Sequence, residues 1–131
     1  MIVSHHIKVN EQHIDDLGHV NNAVYVTFLE QGREAWYKQA ANLSFATMRE
    51  KGIGTVVVRL DITFHQEALL GERLTIQTKP EKLGTKSFVL KQEIYNTEDE
   101  LITEATVTSV MFDPQARKSI PVIKEIARHF P

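Results

Sequence analysis

The spacing of apolar residues changes period once along this chain, and that change restricts the fold more than any other feature. From Ala23 to about Ala41 the spacing is helical: Tyr25, Leu29, Gly32 and Trp36 are four, three and four apart, with Phe28 and Ala35 widening the stripe. After Gly54 the period is two. Val56, Val58, Leu60, Ile62 and Phe64 share one face of a strand, opposed by Val57, Arg59, Asp61, Thr63 and His65. The alternation resumes in Leu74, Ile76 and Thr78, and again in Phe88, Leu90, Gln92 and Ile94. Residues 101–113 set Leu101, Thr103, Ala105, Val107, Ser109 and Met111 against Ile102, Thr106, Thr108, Val110 and Phe112. Residues 2–9 read as one further strand ahead of the helix, with Val3, His5, Ile7 and Val9 on one side.

The later strands are joined by short turns at Leu70-Gly71-Glu72, Leu83-Gly84-Thr85 and Asn96–Glu100. Short connections imply antiparallel pairing, because parallel pairs need crossovers of about a dozen residues or more. One long helix with an apolar stripe beside one large antiparallel sheet is an α+β arrangement. Asn21 or Asn22 is the expected N-cap of the helix. Glu34 and Lys38, four apart, are expected to pair on its exposed side. A second short helix, Phe45 to Lys51, should end at Gly52, and a last helical segment should start near Pro121. Strands that are apolar on both faces suggest that a partner subunit covers part of the outer surface.

With 131 residues the chain is expected to form a single domain, residues 1–131. A net charge of −2 gives no general attraction for nucleic acid. The absence of cysteine excludes disulfides, thiolate metal sites and a Cys nucleophile. No segment has a signal peptide's pattern, and none approaches the roughly 20 apolar residues of a membrane-spanning helix. The expected setting is the cytoplasm, with no nucleic-acid or membrane partner.

The densest polar cluster, His13 to Asn22, lies immediately before the long helix. A helix N-terminus offers free N–H donors and partial positive charge. A carboxylate just upstream would supply the other half of a hydrolytic site. On spacing alone the same Asp and Asn residues read more often as caps than as catalysts. His13 and His19 are six apart, which matches no helical metal pair, and no metal is expected. Gly84-Thr85-Lys86-Ser87 ends like a phosphate-binding loop, but it lacks the earlier glycine and leads into a strand. There is no G-x-S-x-G elbow and no H-E-x-x-H motif.

The run from Asp15 to Tyr25, Asp-Asp-Leu-Gly-His-Val-Asn-Asn-Ala-Val-Tyr, closely resembles the D-x-x-G-H-V-N-N-x-x-Y signature of the hotdog-fold thioesterases. The branch is that of 4-hydroxybenzoyl-CoA thioesterase and the YbgC-like acyl-CoA thioesterases. Phe28-Leu29-Glu30 with Arg33-Glu34, Gly71-Glu72-Arg73-Leu74, Lys86-Ser87-Phe88 and Ile120-Pro121 support the likeness over nearly the whole chain.

The resemblance implies a long central helix wrapped by a five-stranded antiparallel sheet. It implies hydrolysis of an acyl-CoA or acyl-ACP thioester without a cofactor, in a homodimer or homotetramer with the site at the subunit interface. Asp15, three residues before the motif glycine, would be nucleophile or general base, and the N–H groups around Asn22 and Ala23 would polarise the carbonyl. His19, Tyr25, Phe28, Arg59, Lys86 and Ser87 would bind substrate, with Phe64 beside Tyr25 and Phe28 along the acyl group. Arg117 and Lys118 are weaker candidates, Asp16 reads as solvated, His13 as a loop histidine that could modulate Asp15, and Glu30 as a supporting carboxylate. The competing readings are a hotdog dehydratase or hydratase, which would use a His with a carboxylate across the dimer, and a non-catalytic acyl-CoA-binding domain.

Overall fold

The computed structural model describes residues 1–131. Strand β1 (Val3–Lys8) leads through a 3-10 turn (Glu11–His13) to the 20-residue helix α1 (Asn22–Ala41) and the short helix α2 (Phe45–Glu50). Strands β2 (Gly54–Phe64), β3 (Arg73–Leu83), β4 (Ser87–Tyr95) and β5 (Leu101–Asp113) follow, then the two-residue β6 (Lys118–Ser119) and α3 (Lys124–Ala127). The sheet runs β1-β3-β4-β5-β2, antiparallel throughout, with β6 added to β5. The five expected strands are present and β6 is an addition. The last helix begins three residues later than Pro121, because residues up to Ile123 stay extended.

The ends of α1 follow from local chemistry. Asn21 caps it, its side chain accepting from Ala23 N–H at 2.8 Å, and Asn42 closes it in the left-handed region at φ 57°. Tyr25, Leu29, Gly32 and Trp36 are all buried as their spacing requires, but Arg33, Tyr37 and Ala40 are buried too, so the covered stripe is wider than the apolar pattern. Glu34 does not pair with Lys38. Its Oε2 accepts from the Phe45 N–H at 3.0 Å, where a carboxylate satisfies the first turn of α2.

The helix lies over β1 and β3 and meets the sheet most closely at Gly32. A Cβ there would stand 2.6 Å from Ile76 Cγ2 and 3.0 Å from Gln92 Nε2, so only glycine permits this approach. Gln92, the polar residue in β4's inward row, ties the layers together. Its Nε2 donates to Leu29 O at 2.9 Å and Thr78 Oγ1 at 3.0 Å, and its Oε1 accepts from Arg33 Nη1 at 3.1 Å. The core divides into one cluster around Tyr25, Phe28, Leu29 and Ile76 and another around Trp36, Tyr37, Met48 and Phe88.

Three strands depart from uniform alternation, β3 by a shift between Pro80 and Lys82 and two others that change the expected faces. The register of β2 against β5 shifts between Val57 and Arg59, leaving Val58 as a bulge. The bulge moves Val57 onto the inner row with Leu60, Ile62 and Phe64, and Val56 onto the outer row with Arg59 and Asp61, reversing the expected faces ahead of it. A second shift, at Ile94/Tyr95, makes Ile102 rather than Leu101 the core residue at the start of β5. The helix leaves the inner face of β2 largely open, and Val57 and Phe64 are each 42% exposed. No helix is long and apolar enough to cross a membrane.

Candidate active site

Asp15 stands in a tight reversal of the chain just ahead of α1. Ile14 and Val20 bridge across it, Asp15 N–H donates to His19 O at 3.0 Å, and Gly18 N–H donates to Asp15 O at 3.0 Å. Gly18 makes the turn at φ 83°, a conformation that a side chain would strain. Asn21 N–H then donates to His13 O at 3.0 Å, which holds the start of α1 beside the reversal. Val20 N–H donates to Ala68 O at 2.9 Å and ties the same loop to the segment after β2.

The Asp15 carboxylate is held at one oxygen and approached at the other. Oδ1 accepts from Leu17 N–H at 2.9 Å and Oδ2 lies 3.5 Å from His19 Nε2. The other ring nitrogen of His19 lies 3.3 Å from Glu67 Oε2, so the imidazole stands between two carboxylates. Glu67 carried no motif and was invisible in the sequence. Both Asp15 and His19 retain about a quarter of their side-chain exposure, 26% and 28%. No group of three or more His, Asp or Glu side chains is arranged to hold a metal ion.

His19, Asn22, Tyr25, Phe64 and Glu67 line a cleft of about 200 Å³, which Asp15 adjoins through His19. Tyr25 is buried, accepts from Ala68 N–H at 3.2 Å, and packs on Phe64 with ring centroids 5.4 Å apart. Burial, with Glu72 and Glu67 adding to it against the Ala68 hydrogen bond, raises its phenol above the ordinary value, so it stays neutral. At the helix end only one of the two expected donors is free. Ala23 N–H is taken by the Asn21 cap, whereas Asn22 N–H has no partner within the chain. Of the two expected donors, Asn22 N–H is therefore the one left open, while Ala23 N–H is engaged by the cap.

Other expected site residues lie elsewhere. Phe28 is in the core, edge-on to His13 at 4.9 Å. His13 also accepts from Asn10 N–H at 3.1 Å, so it caps the 3-10 turn. Arg59 is on the outer face, 3.9 Å from Asp61. Lys86 and Ser87 are at the opposite end of the sheet: Ser87 pairs with Val110, while Phe64, beside the cleft, pairs with Thr103. Those levels are seven residues apart on β5, about 23 Å at strand rise, so one chain cannot bring Lys86 and Ser87 to Asp15. Arg117 stacks over Phe112 at 5.2 Å.

Comparison with known proteins agrees with this geometry. The family model described as the thioesterase-like superfamily matches residues 9–130. The chain is 35% identical to the long-chain acyl-CoA thioesterase FadM of Escherichia coli (strain K12) over 121 residues, which are 92% of this chain and 90% of FadM. It is 31% identical over 124 residues to the acyl-CoA thioester hydrolase YbgC of Escherichia coli O6:H1, covering 95% and 92% of the two chains. Among solved structures, the DHNA-CoA thioesterase of Staphylococcus aureus superposes with a TM-score of 0.85 at 25% identity, over 99% of this chain and 84% of that one. Slr0204 of Synechocystis, a 1,4-dihydroxy-2-naphthoyl-CoA thioesterase, shares the fold with a TM-score of 0.89 at 20% identity, over 98% and 95%. The long helix laid on a curled antiparallel sheet is thus the hotdog fold, and the chain belongs to the thioesterase-like superfamily.

Proposed function

We propose that this chain, an acyl-CoA thioesterase by its family and relatives, hydrolyses its substrate with Asp15 at the interface of a two-fold dimer. The observation that carries the reading is the placement of Asp15. Its carboxylate accepts from Leu17 N–H and lies 3.5 Å from His19, and His19 in turn lines a cleft with Asn22, the first residue of a 20-residue helix. A thioester is already activated, so a positioned carboxylate and a preorganised donor suffice without a triad.

The thioester oxygen would accept from Asn22 N–H while Asp15 works on the carbonyl carbon. As nucleophile, Asp15 forms a C–O bond as the C–S bond breaks, thiolate leaves, and water hydrolyses the resulting anhydride. As general base, it takes a proton from water, whose oxygen forms that bond. His19 keeps the reactive oxygen aimed in either case.

The dimer is supported by the free edge of β2. Its 11 residues end the sheet, and Val56, Val57 and Val58 are exposed on both of its faces. A long apolar edge with unpaired backbone groups must be covered. Antiparallel pairing with a second β2 about a two-fold axis closes it. That pairing sets the Gly54 end of the second copy beside Phe64 of the first. The same end carries the partner's Lys86 and the partner's Ser87, three strands away, where they can meet the phosphates and pantetheine of a CoA thioester bound at Asp15. A dimer of such dimers, and the cytoplasmic setting expected from the sequence, belong to the same proposal.

The test is free-thiol release from short, medium, long and aromatic acyl-CoAs and from acyl-ACP, with Asp15→Asn alongside. The variant keeps shape and removes charge, and should lose about two orders of magnitude or more in kcat while retaining the wild-type circular dichroism. An unimpaired variant would refute the role of Asp15.

A further inference from the structure

The Tyr25 hydroxyl accepts a hydrogen bond and donates none. Tyr25 is 2% exposed, and its oxygen accepts from Ala68 N–H at 3.2 Å. The hydroxyl's own hydrogen meets no acceptor in the chain. Glu67 and Glu72 lie close enough for their charge to act on the phenol, but each has another partner. Glu72 Oε2 accepts from Leu69 N–H at 2.8 Å, and Glu67 Oε2 lies 3.3 Å from His19 Nδ1. A buried tyrosine hydroxyl normally donates to a partner, so an idle one calls for an explanation.

Helix and loop together put this hydroxyl beside the start of α1. Tyr25 follows Asn22 by three residues, on the same helix face, and helical aromatic side chains lean back toward the N-terminus. The Ala68 anchor holds the hydroxyl at that end, because Ala68 O accepts from Val20 N–H at 2.9 Å just ahead of the helix. Tyr25 and Asn22 line the same cleft of about 200 Å³, and Asn22 N–H also has no partner within the chain. Burial, the largest influence on the phenol, holds it above its ordinary value, so it keeps its proton and acts as a hydrogen-bond donor rather than an acid. Accepting from Ala68 N–H polarises the O–H and strengthens it as a donor.

We propose that the Tyr25 hydroxyl is the second donor to the thioester carbonyl, whose oxygen accepts from Asn22 N–H and Tyr25 O–H together. Tyr25 is then a catalytic residue and not only part of the wall along the acyl group. This role rests on the reading above for Asp15 and Asn22, and deepens it. When Asp15 or its water adds to the carbon, the carbon becomes tetrahedral and its oxygen takes up the negative charge. Donors already in place stabilise that charge without reorganising. No proton passes to or from Tyr25 in the step.

The test uses two acyl-CoA analogues that resist hydrolysis: a ketone with a methylene in place of the thioester sulfur, and a thioether with a methylene in place of the carbonyl. Tyr25→Phe keeps the ring against Phe64 and removes the hydroxyl. Asn22→Pro removes the other donor at the first position of the helix, where proline fits. Asn21 ahead of it already has the extended backbone that proline demands, φ −64° and ψ 138°. Infrared difference spectra of the isotope-labelled ketone should show its carbonyl stretch lowered in the wild-type complex. Each variant should reverse part of that displacement, and the double variant all of it. Tyr25→Phe should also weaken the ketone about tenfold and leave the thioether unchanged. It should lower kcat for thioester hydrolysis about 100-fold with KM little altered. If Tyr25→Phe weakens both analogues alike, the hydroxyl is only an anchor for Ala68 and the proposal falls. It falls equally if Asn22→Pro alone removes the whole displacement, a result that does not depend on the folding of Tyr25→Phe. An unchanged stretch in Asn22→Pro with full reversal by Tyr25→Phe keeps Tyr25 and removes Asn22 from the reading above. An unimpaired Asp15→Asn beside an impaired Tyr25→Phe removes Asp15 alone.

Discussion

Replacing Gly32 with alanine should destabilise the protein even though alanine is the better helix former. On an open helix surface the change would stabilise by about 1 kcal/mol. Here the new Cβ would lie 2.6 Å from Ile76 Cγ2, against about 3.5–4.0 Å for a comfortable carbon contact. Ile76 is fully buried and its β-branched side chain has little χ1 freedom, so about 1 Å of relief must come from moving helix against sheet. Overpacking of this kind costs about 2 kcal/mol. The same Cβ would lie 3.0 Å from Gln92 Nε2, which donates to Leu29 O and Thr78 Oγ1, and displacing that amide costs about 1 kcal/mol more. Set against the helical gain of about 1, the net loss is about 2 kcal/mol, or about 8 °C in Tm for a domain of this size. The assay is urea unfolding at fixed protomer concentration, because a dimer's stability depends on it. The chain's one tryptophan, Trp36, is fully buried and reports through its fluorescence. Gly54→Ala, whose Cβ meets nothing within 4 Å, is the control and should stay within about 0.5 kcal/mol. A Gly32→Ala protein as stable as wild type would refute the claim that backbone contact at Gly32 sets the helix–sheet spacing.

Three further outcomes are expected. Gly18→Ala has free space for its Cβ but must hold φ 83°. It should cost about 1–2 kcal/mol of strain and lower kcat more than it changes KM, measured by steady-state thiol release, because the same turn aims Asp15. Gln92→Leu leaves the Arg33 guanidinium and the Leu29 and Thr78 oxygens without their amide partner; it should cost about 3 kcal/mol or more in chemical unfolding, and a loss under 1 kcal/mol would show that the node is dispensable. Burial is the leading cause that raises the phenols of both Tyr37 and Tyr25 above the ordinary 10.0. The unfolded chain therefore loses these protons first, so stability that is complete below that pH falls as pH rises toward the folded values. Alkaline unfolding followed by circular dichroism should show this fall, and Tyr37→Phe should make it shallower.

Some of this architecture was fixed by local chemistry. The change from helical to two-residue periodicity placed α1 and every major strand, because a side chain's direction in regular backbone depends only on its position in the repeat. Asn21 as cap, Gly52 as helix stop and the inward Phe88, Leu90, Gln92 and Ile94 follow from the same short-range rules. Asp15 stood out through its motif, three residues ahead of a glycine that the turn requires.

What the sequence left open depended on contacts between distant residues. Three consecutive valines at 56–58 look alike to any periodicity, so only pairing with β5 reveals that Val58 is a bulge and that Val57 faces inward. Nothing local says that Asn21 consumes the Ala23 N–H and leaves the Asn22 N–H free, or that Glu67 reaches His19 from beyond β2. Lys86 and Ser87 are expected to bind the same substrate as Asp15, and only strand order shows that they lie at the far end of the sheet. Arg33 and Gln92 lie 59 residues apart and meet only because Gly32 lets α1 press against β4. Sequence determined which elements form and where the Asp15 carboxylate sits, since those depend on neighbours along the chain. Tertiary structure decided which faces, donors and cavities those elements share, since these depend on how backbone and side-chain volumes exclude one another in space.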